Sequence, residues 1–138
     1  MVQKFRQTTA SHEAFHITTA EAEAMARAVV NLFDKWKVGD CIAREVLGGL
    51  SPRIYARWKT GSPGRINRDL ATRLSLLIGI HKRLRLLFSN PERGYAWTGK
   101  PNDAFGGRTP VEIMRQGDMF SLGRVHAHLD AAADNREN

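Results

Sequence analysis

Residues 40–61 read DCIAREVLGGLSPRIYARWKTG, two short helix-forming runs separated by a glycine pair and a serine-proline step. Ile42, Ala43, Val46 and Leu47 recur at the three- and four-residue spacing of one helical face, and Gly48-Gly49 stops the run. Ser51 is a strong N-cap, and Pro52 takes the first helical position, where its missing N–H costs nothing. The second helix is expected to end at Thr60-Gly61. Ile54 and Trp58, four apart, are expected to anchor it to a core and to leave Arg53 and Arg57 on another face. A helix, a tight glycine turn and a short helix with a basic outer side form the organisation of a helix-turn-helix. In that motif the N-terminal part of the second helix enters the DNA major groove. Arg53 is then placed for a bidentate contact to guanine and Arg57 for a base or phosphate. Arg44, Ser51 and Lys59 are placed for phosphates.

The flanking sequence extends the helical reading. Upstream, a helix from Thr18 or Thr19 to about Lys37, capped by Thr19 and ended by Gly39, places Met25, Val29, Leu32, Phe33 and Trp36 on one stripe. Downstream, Gly61-Ser-Pro-Gly64 is turn-rich, and a lobe boundary is placed there. Asn67 then caps a long helix to about Ser89, with Leu70, Leu74, Leu77, Ile78, His81, Leu84 and Leu87 or Phe88 as its apolar stripe. Asn90-Pro91 terminates it, and a short helical turn runs through Arg93 to Trp97. A last helix from Ser121 to about Ala133 turns Leu122, Val125 and Leu129 inward. No strand pattern of useful length appears, so the expected fold is all-α. The expected division is a flexible segment 1–18, a helix-turn-helix lobe 19–64, and a helical lobe 65–138 with a loose C-terminal tail.

The charge is concentrated. Of the net +7, residues 37–88 carry +8, while residues 1–36 are neutral and 89–138 carry −1. A positive block rich in arginine points to a polyanion, most often nucleic acid. The 138 residues fit one compact domain or two small lobes with a shared core. The longest apolar run, Leu74–Ile80, falls far short of the roughly 20 residues of a membrane span. With no apolar signal core after the start, a cytoplasmic address is the default expectation. The single cysteine, Cys41, cannot form an internal disulfide and reads as a small buried residue. His126 and His128, two apart, point to different sides of a helix and read as surface residues, so no metal site is expected. Paired carboxylates, a phosphate loop and a Cys-His constellation are all missing from the sequence, and an enzyme or a bound cofactor is not expected.

A second stretch, Ala104-Phe-Gly-Gly-Arg-Thr-Pro-Val-Glu-Ile-Met114, is built around a capping box. Thr109 is the cap, Pro110 follows it, and Glu112 stands at the third helical position. Gly106-Gly107 permits a sharp reversal between Phe105 and that helix. Together with Trp97 and Pro101-Asn102 upstream and Gly117, Val125 and Leu129 downstream, this combination resembles the toxin-binding domain of the Xre/MbcA/ParS antitoxins over about half the chain. Phe105 replaces the family's usual leucine, and Thr98 stands where a leucine often follows the tryptophan. The N-terminal half resembles the Xre-like helix-turn-helix that precedes this domain. The resemblance implies a type II toxin-antitoxin system. Its partner would be a RES-domain toxin that consumes NAD, and the antitoxin would block the toxin and repress the shared operon by binding operator DNA. The expected assembly is a homodimer or a hetero-oligomer with the toxin. It also implies that Trp97, Asn102, Phe105, Gly106, Gly107, Arg108 and, in the C-terminal region, Arg136 serve the toxin-binding lobe. Of these, Trp97 and Phe105, with Pro110 and Ile113, read first as core. The alternative is a free-standing transcriptional regulator without a toxin.

Overall fold

Side-chain caps start most of the helices. Thr18 accepts the backbone N–H of Glu21, Ser51 that of Ile54, Asn67 that of Leu70, Asn90 that of Glu92 and Thr109 that of Glu112. In the computed structural model, which describes residues 17–137, the order is α1 (Thr19–Lys35), α2 (Asp40–Val46), α3 (Pro52–Lys59), α4 (Arg68–Leu87), α5 (Pro91–Trp97), a 3-10 turn (Asp103–Phe105), α6 (Pro110–Met114) and α7 (Met119–Glu137). Among the described residues there is no strand, only an isolated bridge between Asn102 and Arg108. The all-α class is as expected. The first sixteen residues, most of the segment expected to be flexible, lie outside the described residues, as do the side chains of Arg136 and Glu137.

Several element ends differ from expectation for local reasons. Thr18, not Thr19, caps α1. That helix ends at Lys35 because Lys37 takes a left-handed φ of 61°, so a lysine reverses the chain and Gly39 becomes the N-cap of α2 instead. Asp118 accepts the N–H of Ser121 at 2.6 Å and so brings the start of α7 forward to Met119. The same helix continues past Ala133 to Glu137.

Helix α4 is the spine of the molecule. It packs on α1 and on α7 and also touches α5, while α6 bridges α2 and α7. One core therefore runs unbroken from Val29, Phe33 and Trp58 through Leu74, Leu77 and Ile80 to Ile113, Leu122 and Leu129. The buried stripe of α4 takes a step of three from Leu77 to Ile80, so Ile78 and His81, expected inside, are only half-buried. His81 stacks instead on Tyr95 of α5, at 6.2 Å between ring centroids. Burial and the nearby Arg85 and Lys35 cations hold its imidazole below the ordinary value. Cys41 is exposed, contrary to expectation, because α2 buries the face of Ala43 and Val46.

Polar ties fasten the helix-turn-helix to the C-terminal half. Arg73 of α4 is buried and donates to Asp69 Oδ2 at 2.8 Å and to the Gly117 carbonyl at 2.6 Å. Its guanidinium lies against Gly48, where an added Cβ would stand 2.8 Å from Cζ. A few residues away, Arg115 pairs with Glu45 at 2.7 Å. The hydrogen bond from Arg115 holds the Glu45 carboxyl below its ordinary value. Glu112, bonded first by the backbone N–H of Thr109, and Asp118, bonded first by the Ser121 hydroxyl, are lowered likewise. A carboxyl whose pKa falls on folding stabilises the protein above its unfolded value and ceases to do so as pH falls through the folded one. Thermal melts should therefore hold steady near neutrality and drop once pH falls past the ordinary values of 4.5 for Glu and 3.8 for Asp. A melting temperature unchanged down to about pH 3 would contradict this linkage.

Candidate functional site

The basic helix α3 presents its arginines because its other side is filled by aromatic rings. Tyr55 and Trp58, three apart, are 3% and 1% exposed and face the core beside α1, with ring centroids 6.4 Å apart. Burial, helped by the carboxylates of Asp40 and Asp34, pushes the Tyr55 phenol up to about 12. Ile54, expected to share the inward face with Trp58, is 41% exposed. The two large rings bury more apolar surface than one ring and an isoleucine would, and they set the rotation of the helix. The outward face then carries Arg53, Ile54 and Arg57. Neither arginine side chain makes a hydrogen bond or ion pair among the described residues, though the Arg57 guanidinium lies beside Gly64.

The other three basic or polar positions expected here have local partners. Arg44 Nε donates to the Leu50 carbonyl at 2.8 Å and so closes the turn between α2 and α3. Lys59 Nζ pairs with Asp40 Oδ2 at 2.8 Å across a cleft of about 280 Å³ between the same helices. The Ser51 hydroxyl serves as the α3 cap.

The second surface is assembled from the turn that follows α5. Asn102 Oδ1 accepts the N–H of Ala104, its backbone N–H donates to the Arg108 carbonyl at 3.0 Å, and its own carbonyl accepts from Gly107. Gly106 and Gly107 have φ of 66° and 84°, yet an added Cβ at either would meet nothing within 4 Å. Their role is purely conformational: left-handed backbone that other residues resist. The turn drives Phe105, 3% exposed, inward, where its ring meets Trp97 edge-on at 6.4 Å and His128 at 5.2 Å. His128 stacks on Trp97 at 6.0 Å, and the Arg124 guanidinium lies over the Phe105 ring at 5.3 Å. Trp97 is half-buried at the edge of this group, whereas Phe105, Pro110 and Ile113 are core as expected. Arg108 is exposed, and its guanidinium makes no hydrogen bond or ion pair among the described residues.

Thr98, the other departure from the usual pattern, is fully buried. Its hydroxyl is satisfied by the Tyr95 carbonyl at 2.7 Å, and its own carbonyl receives the Val111 N–H at 3.0 Å. Arg124 and His128 were not among the expected site residues. Their signal was their spacing of four on α7, which puts them on one face. His126 and His128 do diverge, but neither is a plain surface residue: His126 lies over Gly79 of α4 and pairs with Asp130 at 3.2 Å. The side chain of Arg136 is outside the described residues. Among those residues no group of His, Cys, Asp and Glu is placed to hold a metal ion, and no helix is long and apolar enough to cross a membrane.

Comparison with known proteins matches both halves of the chain. The family described as the antitoxin Xre-like helix-turn-helix domain matches residues 15–79. The family described as the antitoxin Xre/MbcA/ParS C-terminal toxin-binding domain matches residues 83–134. An uncharacterized protein, y4oB, of Sinorhizobium fredii (strain NBRC 101917 / NGR234) is 31% identical over 131 residues, which cover 95% of this chain and 97% of its own length. No solved structure matches the chain.

Proposed function

The chain belongs to the Xre/MbcA/ParS antitoxins, with an Xre-like helix-turn-helix and a toxin-binding domain, and from that premise we propose that it blocks a RES-type, NAD-consuming toxin and represses its own operon. The observation that carries this reading is the joining of two differently equipped surfaces on one core: unpaired arginines on α3, and the Trp97–Phe105–His128–Arg124 group beside the Asn102–Arg108 turn. The toxin-facing surface is formed by Trp97, Asn102, Gly106, Gly107 and Arg108 within residues 65–138, shaped from beneath by the buried Phe105, and Arg136 is assigned to the same surface. The DNA-facing surface lies within residues 19–64. The chain acts by binding, in the cytoplasm, without a catalytic step or cofactor.

Co-expression with the product of the adjacent gene tests the toxin arm. A stable complex that leaves NAD intact, with NAD lost when the chain is omitted, is the expected result. The absence of both complex and NAD loss would leave the reading of a free-standing regulator. Undiminished inhibition after deletion of residues 134–138 would remove Arg136 from the toxin surface.

On DNA, two subunits of a dimer each insert α3 into successive major grooves about one helical turn apart. Arg53→Ala is expected to weaken operator binding by about 1–3 kcal/mol and to relax preference at one base. Lys59→Ala, with its ammonium already held by Asp40, is expected to cost less and to weaken all sequences alike. Equal loss on operator and random DNA for Arg53→Ala would remove Arg53 from base reading.

A further inference from the structure

Ile54 is the one large apolar side chain exposed on α3, and in sequence it stands between the two unpaired arginines, Arg53 and Arg57. A lone exposed isoleucine means little by itself. Here its position gives it meaning. The Ile54 N–H is bonded to Ser51 Oγ at 3.1 Å, which fixes the residue in the first turn of α3, the part of such a helix that reaches base edges. The core behind it is already filled by Tyr55 and Trp58. Ile54 adjoins Arg53 in sequence and lies one short step around the helix from Arg57, so whatever the two guanidinium groups approach, the isoleucine approaches too. Being β-branched, it loses little side-chain freedom on contact.

In the major groove, guanine offers acceptors to arginine, and the apolar feature of the base edges is the thymine C5-methyl. We propose that Ile54 is a specificity-determining residue that packs against a thymine methyl beside the guanine read by Arg53. This rests on the DNA-binding half of the proposed function. It adds a base preference that arginines alone would not impose.

Uracil interference on the DNA upstream of the chain's own gene tests it, because replacing thymine with deoxyuridine deletes the methyl without touching the protein. For the wild-type chain, deoxyuridine at one thymine per half-site should weaken binding about fourfold, the effect of one buried methyl. Ile54→Ala should weaken binding to the unmodified DNA about tenfold, leave random DNA unaffected, and abolish the penalty of deoxyuridine at that same thymine. If no thymine responds, or if Ile54→Ala still shows the full deoxyuridine penalty, the assignment is wrong while DNA binding stands. If the wild-type chain does not bind the upstream DNA at all, the DNA half of the function falls and takes this assignment with it. A matched melting temperature for Ile54→Ala confirms that the comparison is between folded proteins.

Discussion

Trp58→Ala is expected to lower the unfolding free energy by about 3–5 kcal/mol, a large share of the roughly 5–15 kcal/mol that a domain possesses. The indole is 1% exposed and sits with Tyr55 where α3 meets the core. Its removal takes away the anchor of the arginine-bearing helix and opens a cavity too deep for α3 to fill by shifting. The melting temperature should fall by about 10–20 °C for a chain of this length. Operator binding should vanish at temperatures the wild type tolerates. Trp58→Phe should be far milder, at about 1–2 kcal/mol, because the indole N–H is buried without a hydrogen-bond partner and phenylalanine has no such group to desolvate. Urea melts of the two variants decide the matter: equal losses would mean that ring burial is not what holds α3.

Phe105→Ala is the corresponding change on the other surface. Phe105 is 3% exposed, and Trp97, His128 and Arg124 all rest against its ring. Truncation should cost about 3–5 kcal/mol and release all three neighbours at once. Inhibition of the toxin should therefore weaken even at temperatures where the variant remains folded. Phe105→Leu restores the residue usual in the family and should stay within about 1.5 kcal/mol of the wild type while keeping inhibition. Thermal melts and NAD-consumption assays on both variants separate the two effects. Full inhibition by a folded Phe105→Ala protein would show that this aromatic group does not shape the toxin surface.

What could be read in advance was mostly local. Ser51, Asn67 and Thr109 announce helix starts because a cap bonds to a backbone N–H two or three residues away, a distance that the chain itself fixes. The reciprocal bonds of Thr109 and Glu112, at 3.0 Å each, follow the same logic. Ile54 was misplaced because both the pair 54/58 and the pair 55/58 satisfy helical spacing. Only the partner helix α1 decides which pair is buried. Cys41 was expected inside because a lone cysteine behaves as a small apolar residue, whereas the inward face of α2 is set by Ala43 and Val46. The joint role of Arg124 and His128 depends on α7 crossing the Phe105 turn, a contact between segments some twenty residues apart. Arg44 could not be assigned from sequence to the Leu50 carbonyl, because that oxygen becomes available only once Gly48 and Gly49 turn the chain at φ of 88° and 93°.

Helix α4 packs against α1 on one side and α7 on the other, and a single core passes through it. A protease that waits for local opening finds no half of this molecule that can be lost alone, since unfolding either side strips the other of its backing. Both surfaces should then disappear from a cell on the same clock, so that degradation of this chain removes the α3 face and the Phe105 turn together.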